Sequence, residues 1–218
     1  MEEQDIIQLW KAQDAKLEQS LAINKKVLTE LQAYKAQSVL QSLKQRKGWG
    51  IVIAIIYLVL LGSVLSVAIA HYSSAANYFI ISMGAIFLIN VKALADYIKH
   101  LVWINNIDFD GSVIEIQQKL NKLQLSLVQH TRIMYLQFPF WTTFFLSSKW
   151  FPQATPPAFI ILQIAITGSF TWLAYWLYKT QRIENADNKW FKRLIASSGI
   201  DYVQKAMGFY KDIEEFKA

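Results

Sequence analysis

Residues 51–72 read IVIAIIYLVLLGSVLSVAIAHY, and no charge interrupts them before His71. A helix of that length matches a hydrocarbon core roughly 30 Å thick. A soluble core would have to cover such a helix on every side, and a chain of 218 residues has no second layer to do so. The run therefore predicts a membrane span.

Three further stretches follow from it. Residues 78–91, YFIISMGAIFLINV, begin a second span that runs through Lys92 to about 97. Residues 157–178, PAFIILQIAITGSFTWLAYWLY, form another clear one. Between them, 133–148, IMYLQFPFWTTFFLSS, is shorter and contains Pro139; it is expected to be the third of four spans. About 50 polar residues precede the first run, too many for a cleavable signal peptide, so that run is expected to serve as an uncleaved anchor. The composition agrees: 54% of residues are hydrophobic and 17% charged, against about 25% charged in average soluble proteins. The chain has no Cys, which excludes a disulfide scaffold, a thiolate enzyme and Cys-ligated zinc or iron–sulfur sites.

Charge orients the spans. Eight of the 22 Lys and Arg precede residue 51, four lie in 96–132, and eight lie from 179 onward. The loops on the opposite side, 73–77 and 149–156, hold Lys149 alone. The positive-inside rule places both termini and the 96–132 segment in the cytoplasm. The organisation expected is a cytoplasmic helix at 1–48, a transmembrane hairpin at 49–98, a cytoplasmic helix at 99–132, a second hairpin at 133–178 and a cytoplasmic helical tail at 179–218. The fold class is all-α and integral to the membrane, with four transmembrane helices plus amphipathic, coiled-coil-like helices. The net charge of +6 does not argue for nucleic acid, because all 16 acidic residues interleave with the bases on one side. Lys44, Arg46, Lys47, Lys179 and Arg182, next to the spans, suit anionic headgroups.

Two segments on the basic side carry apolar seams. Residues 5–47 contain neither Pro nor Gly and are rich in helix formers. Trp10, Leu17, Leu21, Leu28 and Leu31 fall on coiled-coil spacing, with Asp14 and Asn24 in the gaps. Residues 112–134 repeat the pattern with Val113, Ile116, Leu120, Leu123, Leu127, His130 and Met134. Asp110-Gly111-Ser112 reads as a turn, and Ser112 with Glu115 makes a capping box. The 112–134 helix is expected to pack on the 17–31 stretch, or each seam on its copy in a dimer. In the tail, 188–196 and 201–216 read as helices broken at Ser197-Ser198-Gly199, with Asp201 as a cap.

No catalytic motif emerges. The three His make no zinc pair, and no nucleophile elbow or phosphate-binding loop occurs. The chain is read as a non-enzyme without a cofactor or metal. An ionisable residue inside a span is a functional candidate by default. Lys92, Asp96 and His100, one turn apart, form such a candidate; the simpler reading is a snorkelling Lys92 with a helical salt bridge. Gly62, Ser66 and Ala70 form a small-residue packing stripe.

The opening D-I-I-Q-L-W-K-A-Q-D at 5–14, followed by a Lys/Glu/Leu helix and the first span, resembles small bacterial multi-span membrane proteins, some of them companions of extracytoplasmic-function sigma factors. The resemblance covers about the first 70 residues; the zinc pattern of many anti-sigma domains has no counterpart here, for want of Cys. It implies a regulator binding through residues 1–45. The reading preferred is a scaffold of the bacterial inner membrane, partnered by the bilayer and by another protein or a second copy. A small transporter or channel using Lys92 and Asp96 is the rival.

Overall fold

A computed structural model describes residues 3–109, 111–183 and 198–217, with side-chain surroundings described from residue 10 to 215. Every regular element among them is helical: α1 (Glu3–Ala70), α2 (Asn77–Asn105), α3 (Val113–Met134), α4 (Pro157–Thr180) and α5 (Ile200–Lys217). Three of these, α1, α2 and α4, are long and apolar enough to cross a membrane.

Helix α1 is continuous for 68 residues, about 100 Å at 1.5 Å per residue. The expected boundary between the cytoplasmic helix and the first span falls at residue 48. The helix passes straight through, because breaking it at a bilayer edge would free backbone groups that the continuous ladder satisfies. Its upper half presents Ile53, Ile56, Val59, Leu60 and Val67 outward, each exposed. So large an apolar surface on every side requires lipid or protein to cover it. Of the small-residue stripe, only Gly62 packs within the chain: a Cβ there would lie 3.2 Å from the Phe87 ring, whereas Ser66 and Ala70 are exposed.

The third span does not form as an α-helix. Residues Tyr135–Thr142 wind as a 3-10 helix around Pro139, and turns follow. Proline lacks an N–H and its ring collides with the carbonyl four residues back, so an α-helix cannot pass through it unbroken. The segment nevertheless runs the length of α4, antiparallel to it. Arg132 Nε donates to Tyr178 O at 2.8 Å and Gln181 Nε2 to Tyr135 OH at 2.7 Å. Thr142 Oγ1 meets Thr167 Oγ1 at 3.0 Å, and the Trp150 ring lies 6.0 Å from that of Phe159. From Phe159 to Tyr178 α4 rises about 28 Å. On its other side the segment follows α2: Asn90 Nδ2 donates to Gln137 Oε1 at 3.3 Å, Ser82 and Thr143 share a 2.8 Å hydrogen bond, and Phe151 sits edge-on to Tyr78 at 5.8 Å. Its carbonyls are met by neighbouring side chains. Thr142 Oγ1 donates to Pro139 O at 2.7 Å, and Gln163 Nε2, from α4, donates to Thr142 O at 2.6 Å.

At the other end of the molecule, the lower middle of α1 joins the end of α2, α3 and α5 in one core. It contains Ala36, Leu40, Leu43, Ile104, Ile116, Leu120, Leu123, Leu127, Ile200, Val203 and Ile213, all buried. The α3 seam thus lies in the core, with Val113 half-buried at its edge. The expected partner is different, however. Leu17, Leu21 and Leu31 are exposed and Leu28 is half-buried; the α3 seam meets α5 and α2 instead. The buried row of α1, Ala36, Leu40, Leu43 and Lys47, keeps a 4–3–4 spacing, but its phase differs from that of the 10–31 row. Helix α5 covers it and leaves the earlier row bare.

Local signals decide the junctions. Ser112 caps α3 by accepting the Glu115 N–H at 3.3 Å. Helix α5 starts one residue before the expected cap: Ser198 Oγ accepts the Ile200 N–H at 3.4 Å, and Asp201 occupies the first turn. Gly199 has φ +94°, open to glycine but not to other residues without strain. A Cβ there would lie 2.5 Å from Leu43 Cδ1. The expected turn residue Asp110, and the helix expected at 188–196, lie outside the described residues.

Candidate functional site: a buried Asp–His–Lys centre

Where the apolar helices enter the polar bundle, charged and ring side chains from three helices converge. Asp96, on α2, is 7% exposed. Its carboxylate accepts from Lys92, one turn earlier, and from His130 Nδ1–H on α3 at 3.2 Å; Lys99 Nζ lies at 3.8 Å. The His130 ring tilts against Tyr97 at 4.9 Å between centroids, and Lys47 Nζ of α1 lies 4.5 Å from the centre of the same Tyr97 ring. A cation over an aromatic face is favourable, the more so when desolvated. Lys47 is 6% exposed and forms no salt bridge among the described residues.

His100 is fully buried beneath this layer. Its Nε2 shares a 2.9 Å hydrogen bond with Ser126 Oγ, and its Nδ1 has no hydrogen-bond partner among the described residues. The two imidazoles stand edge-on at 6.0 Å. Lys99 and Lys122 each approach the Trp103 ring, at 4.8 and 4.7 Å.

Burial removes solvation from the charged form of His130, and the positive charge of Lys47 adds to the effect. Together they outweigh the attraction of Asp96 and hold His130 down at about 4, so it is neutral at pH 7. A neutral His130 bonded to an ionised Asp96 keeps its proton on Nδ1. The net charge of the centre is therefore positive: Lys47, Lys92 and Lys99 against Asp96.

Of the predicted triad, Lys92 and Asp96 come together and His100 does not join them. Two residues that the sequence reading left aside complete the centre. His130 is a seam residue there, yet its place between Leu127 and Met134 aims it at α2. Lys47 is a headgroup ligand there, although it extends the apolar row of Leu40 and Leu43. In both cases a polar residue in register with a buried apolar row was the signal.

One groove adjoins the centre on the apolar side, and a second lies farther along the apolar helices. The first, of ≈ 340 Å³, lies between α1, α2 and the 3-10 segment and is lined by Gly50, Ala54, Tyr57, Asn90, Tyr97 and Trp141 among others. The other, of ≈ 640 Å³, lies between the turns at 143–151, α4 and Tyr78 of α2. Among the described residues no group of three His, Asp or Glu is placed to hold a metal. The chain matches no protein-family model, no curated protein and no solved structure.

Proposed function

We propose that this chain is a multi-pass protein of the bacterial inner membrane, with both termini cytoplasmic, that works without catalysis as a scaffold. The observation carrying this reading is the free arm of α1. Trp10, Leu17, Leu21, Ile23, Val27 and Leu31 are 46–69% exposed, beyond the end of the α5 cover. An apolar row of that length on a helix held rigidly to the bundle suits a partner helix, from another protein or from a second copy. The N-terminal resemblance implies the alternative that the chain is itself a membrane-anchored, anti-sigma-like regulator binding through residues 1–45.

Four crossings are part of the proposal. The segment 133–151 shares its full course with α4, so whatever depth α4 traverses, that segment traverses too. Irregular backbone is tolerated at membrane depth where protein encloses it, and here α2, α4 and their Ser, Thr, Asn and Gln side chains do so. Four crossings leave the basic residues together on one side.

A pulldown of the tagged chain in mild detergent tests the scaffold role. A partner retained by the parent and lost from a Leu17→Glu, Leu21→Glu double variant supports it. Identical pulldowns from parent and variant would overturn it.

Conduction of protons or ions is a second reading, favoured by one observation. Asp96, Asn90–Gln137, Ser82–Thr143 and Thr142–Gln163–Thr167 form a file of polar side chains along the non-helical segment. Broken membrane segments with polar groups near the midplane are characteristic of transporters. Flux of protons into liposomes that is lost with Asp96→Asn supports this reading, and no flux above empty liposomes rejects it.

A further inference from the structure

The positive centre and the smaller groove adjoin. Lys47 precedes Gly50 by one turn on the same face of α1, and Gly50 lines the groove. Tyr97 belongs to both: its ring lies under Lys47 Nζ and forms part of the groove wall. Gly50 allows this approach, since a Cβ there would come 3.1 Å from the ring. The rest of the groove mixes polar and apolar groups. Asn90, Gln137 and the tyrosines Tyr57 and Tyr97 offer hydrogen-bonding groups, while Ile53, Ala54 and Trp141 are apolar.

The charge balance at the mouth is incomplete. Asp96 is already engaged by Lys92 and His130, so Lys47 is left over, and Arg46 stands exposed beside it. A buried cation without a counter-charge is costly. An anion at the mouth would relieve that cost.

We propose that this groove binds one anionic phospholipid of the leaflet next to the polar bundle. Its phosphate would sit at Lys47 and Arg46, and an acyl chain would run on past Ile53 and Ala54 toward Trp141, with Tyr57, Asn90 and Gln137 as hydrogen-bonding groups along its course. Charge selects the ligand class, since a zwitterionic headgroup brings its own cation to a site already in surplus. The depth also suits a lipid, because the groove begins where the charged face of α1 ends. The proposal rests on the membrane reading, but not on the arm having a partner.

Native mass spectrometry of the full chain tests it, after exchange from mixed micelles holding equal dioleoylphosphatidylglycerol and dioleoylphosphatidylcholine. The parent should retain one phosphatidylglycerol, about tenfold over phosphatidylcholine. Lys47→Gln should abolish that preference, while Lys179→Gln, whose Lys also flanks a span but lies away from the groove, should keep it. Ala54→Phe, which fills the groove and leaves every charge in place, should lose the adduct. That variant decides the matter if Lys47→Gln does not fold. Equal retention of both lipids by the parent, or a preference that survives Ala54→Phe, would overturn the site. Alkaline carbonate extraction of the same parent chain tests the membrane reading separately: release into the soluble fraction would sink that reading, while retention together with equal lipid binding would sink only the site.

Discussion

Asp96 Oδ2 on α2 lies 3.2 Å from His130 Nδ1 on α3, and both residues are buried. This contact ties the helix that carries the second apolar span to the helix that closes the polar bundle. Removing one partner from a buried charged contact costs far more than removing an exposed one. Asp96→Ala should therefore destabilise the protein by about 3 kcal/mol. Lys92 is 41% exposed along its side chain and leaves His130 and Lys99 on the carboxylate, so Lys92→Met should cost under about 1 kcal/mol. Thermal unfolding in one detergent, read for both variants, checks the order. Equal losses would contradict it.

The same pair predicts a pH dependence. His130 is held down at about 4 in the folded chain and returns to about 6.5 when unfolded. Between those values the unfolded state binds the extra proton. Stability should thus be full above about pH 6.5 and fall on acidification toward pH 4, by at most about 3 kcal/mol from this group. Lys47, Lys92, Asp96, Tyr97 and His100 face His130 and keep their influence in a His130→Gln variant, which should show a shallower fall. A His130→Gln curve as steep as the parent's would assign the fall to other groups.

Gly199 precedes α5 and packs against Leu43 of α1. Gly199→Ala forces a side chain into a left-handed backbone and onto Leu43 Cδ1 at 2.5 Å. It should cost about 2 kcal/mol and expose α5 to limited proteolysis. Gly208, inside α5, where an added Cβ would meet no atom within 4 Å, should behave oppositely: Gly208→Ala should add about 0.8 kcal/mol. Proteolysis that is equally slow for Gly199→Ala and Gly208→Ala would show that α5 does not depend on this turn.

Much of this architecture was legible from local signals. The long runs at 51–72, 78–97 and 157–178 emerge as helices because each is predominantly apolar over about 20 residues and has no proline beyond the first turn. The Ser112 cap was legible for the same local reason. The choice of partner was not. The α3 seam states that something covers Leu120 and Leu123, but the 17–31 row and α5 are both apolar enough to do so. The choice depends on where α5 lies along α1, a long-range matter. The Pro139 segment marks another limit: hydropathy reports that it is apolar, while its path depends on Gln163 from α4 meeting its backbone and Thr167 meeting the Thr142 hydroxyl. For the site, the i, i+4 spacing on α2 revealed Lys92 with Asp96. His130 and Lys47 arrive from other helices: the spacing on α2 says nothing of them, and only their register with the apolar rows of α3 and α1 marks them.

Topology can be checked through the absence of natural cysteine. Single variants Ser74→Cys and Gln153→Cys should react with an impermeant thiol reagent in intact cells. Ser20→Cys, Gln118→Cys and Lys211→Cys should react only after the cells are opened. All five positions are exposed in the fold, so silence reports the membrane and not burial. Labelling of Lys211→Cys in intact cells would mean that the 133–151 segment does not cross.

The central claim is that the arm of α1 holds a partner, and crosslinking from the arm itself tests it most directly. A photoreactive phenylalanine analogue replaces Leu21, which is 59% exposed, and native membranes are irradiated before any detergent is added. The account predicts one discrete adduct of higher mass, absent when Leu17→Glu accompanies it. Irradiated chains that remain at the mass of the single protein, with and without Leu17→Glu, would contradict it.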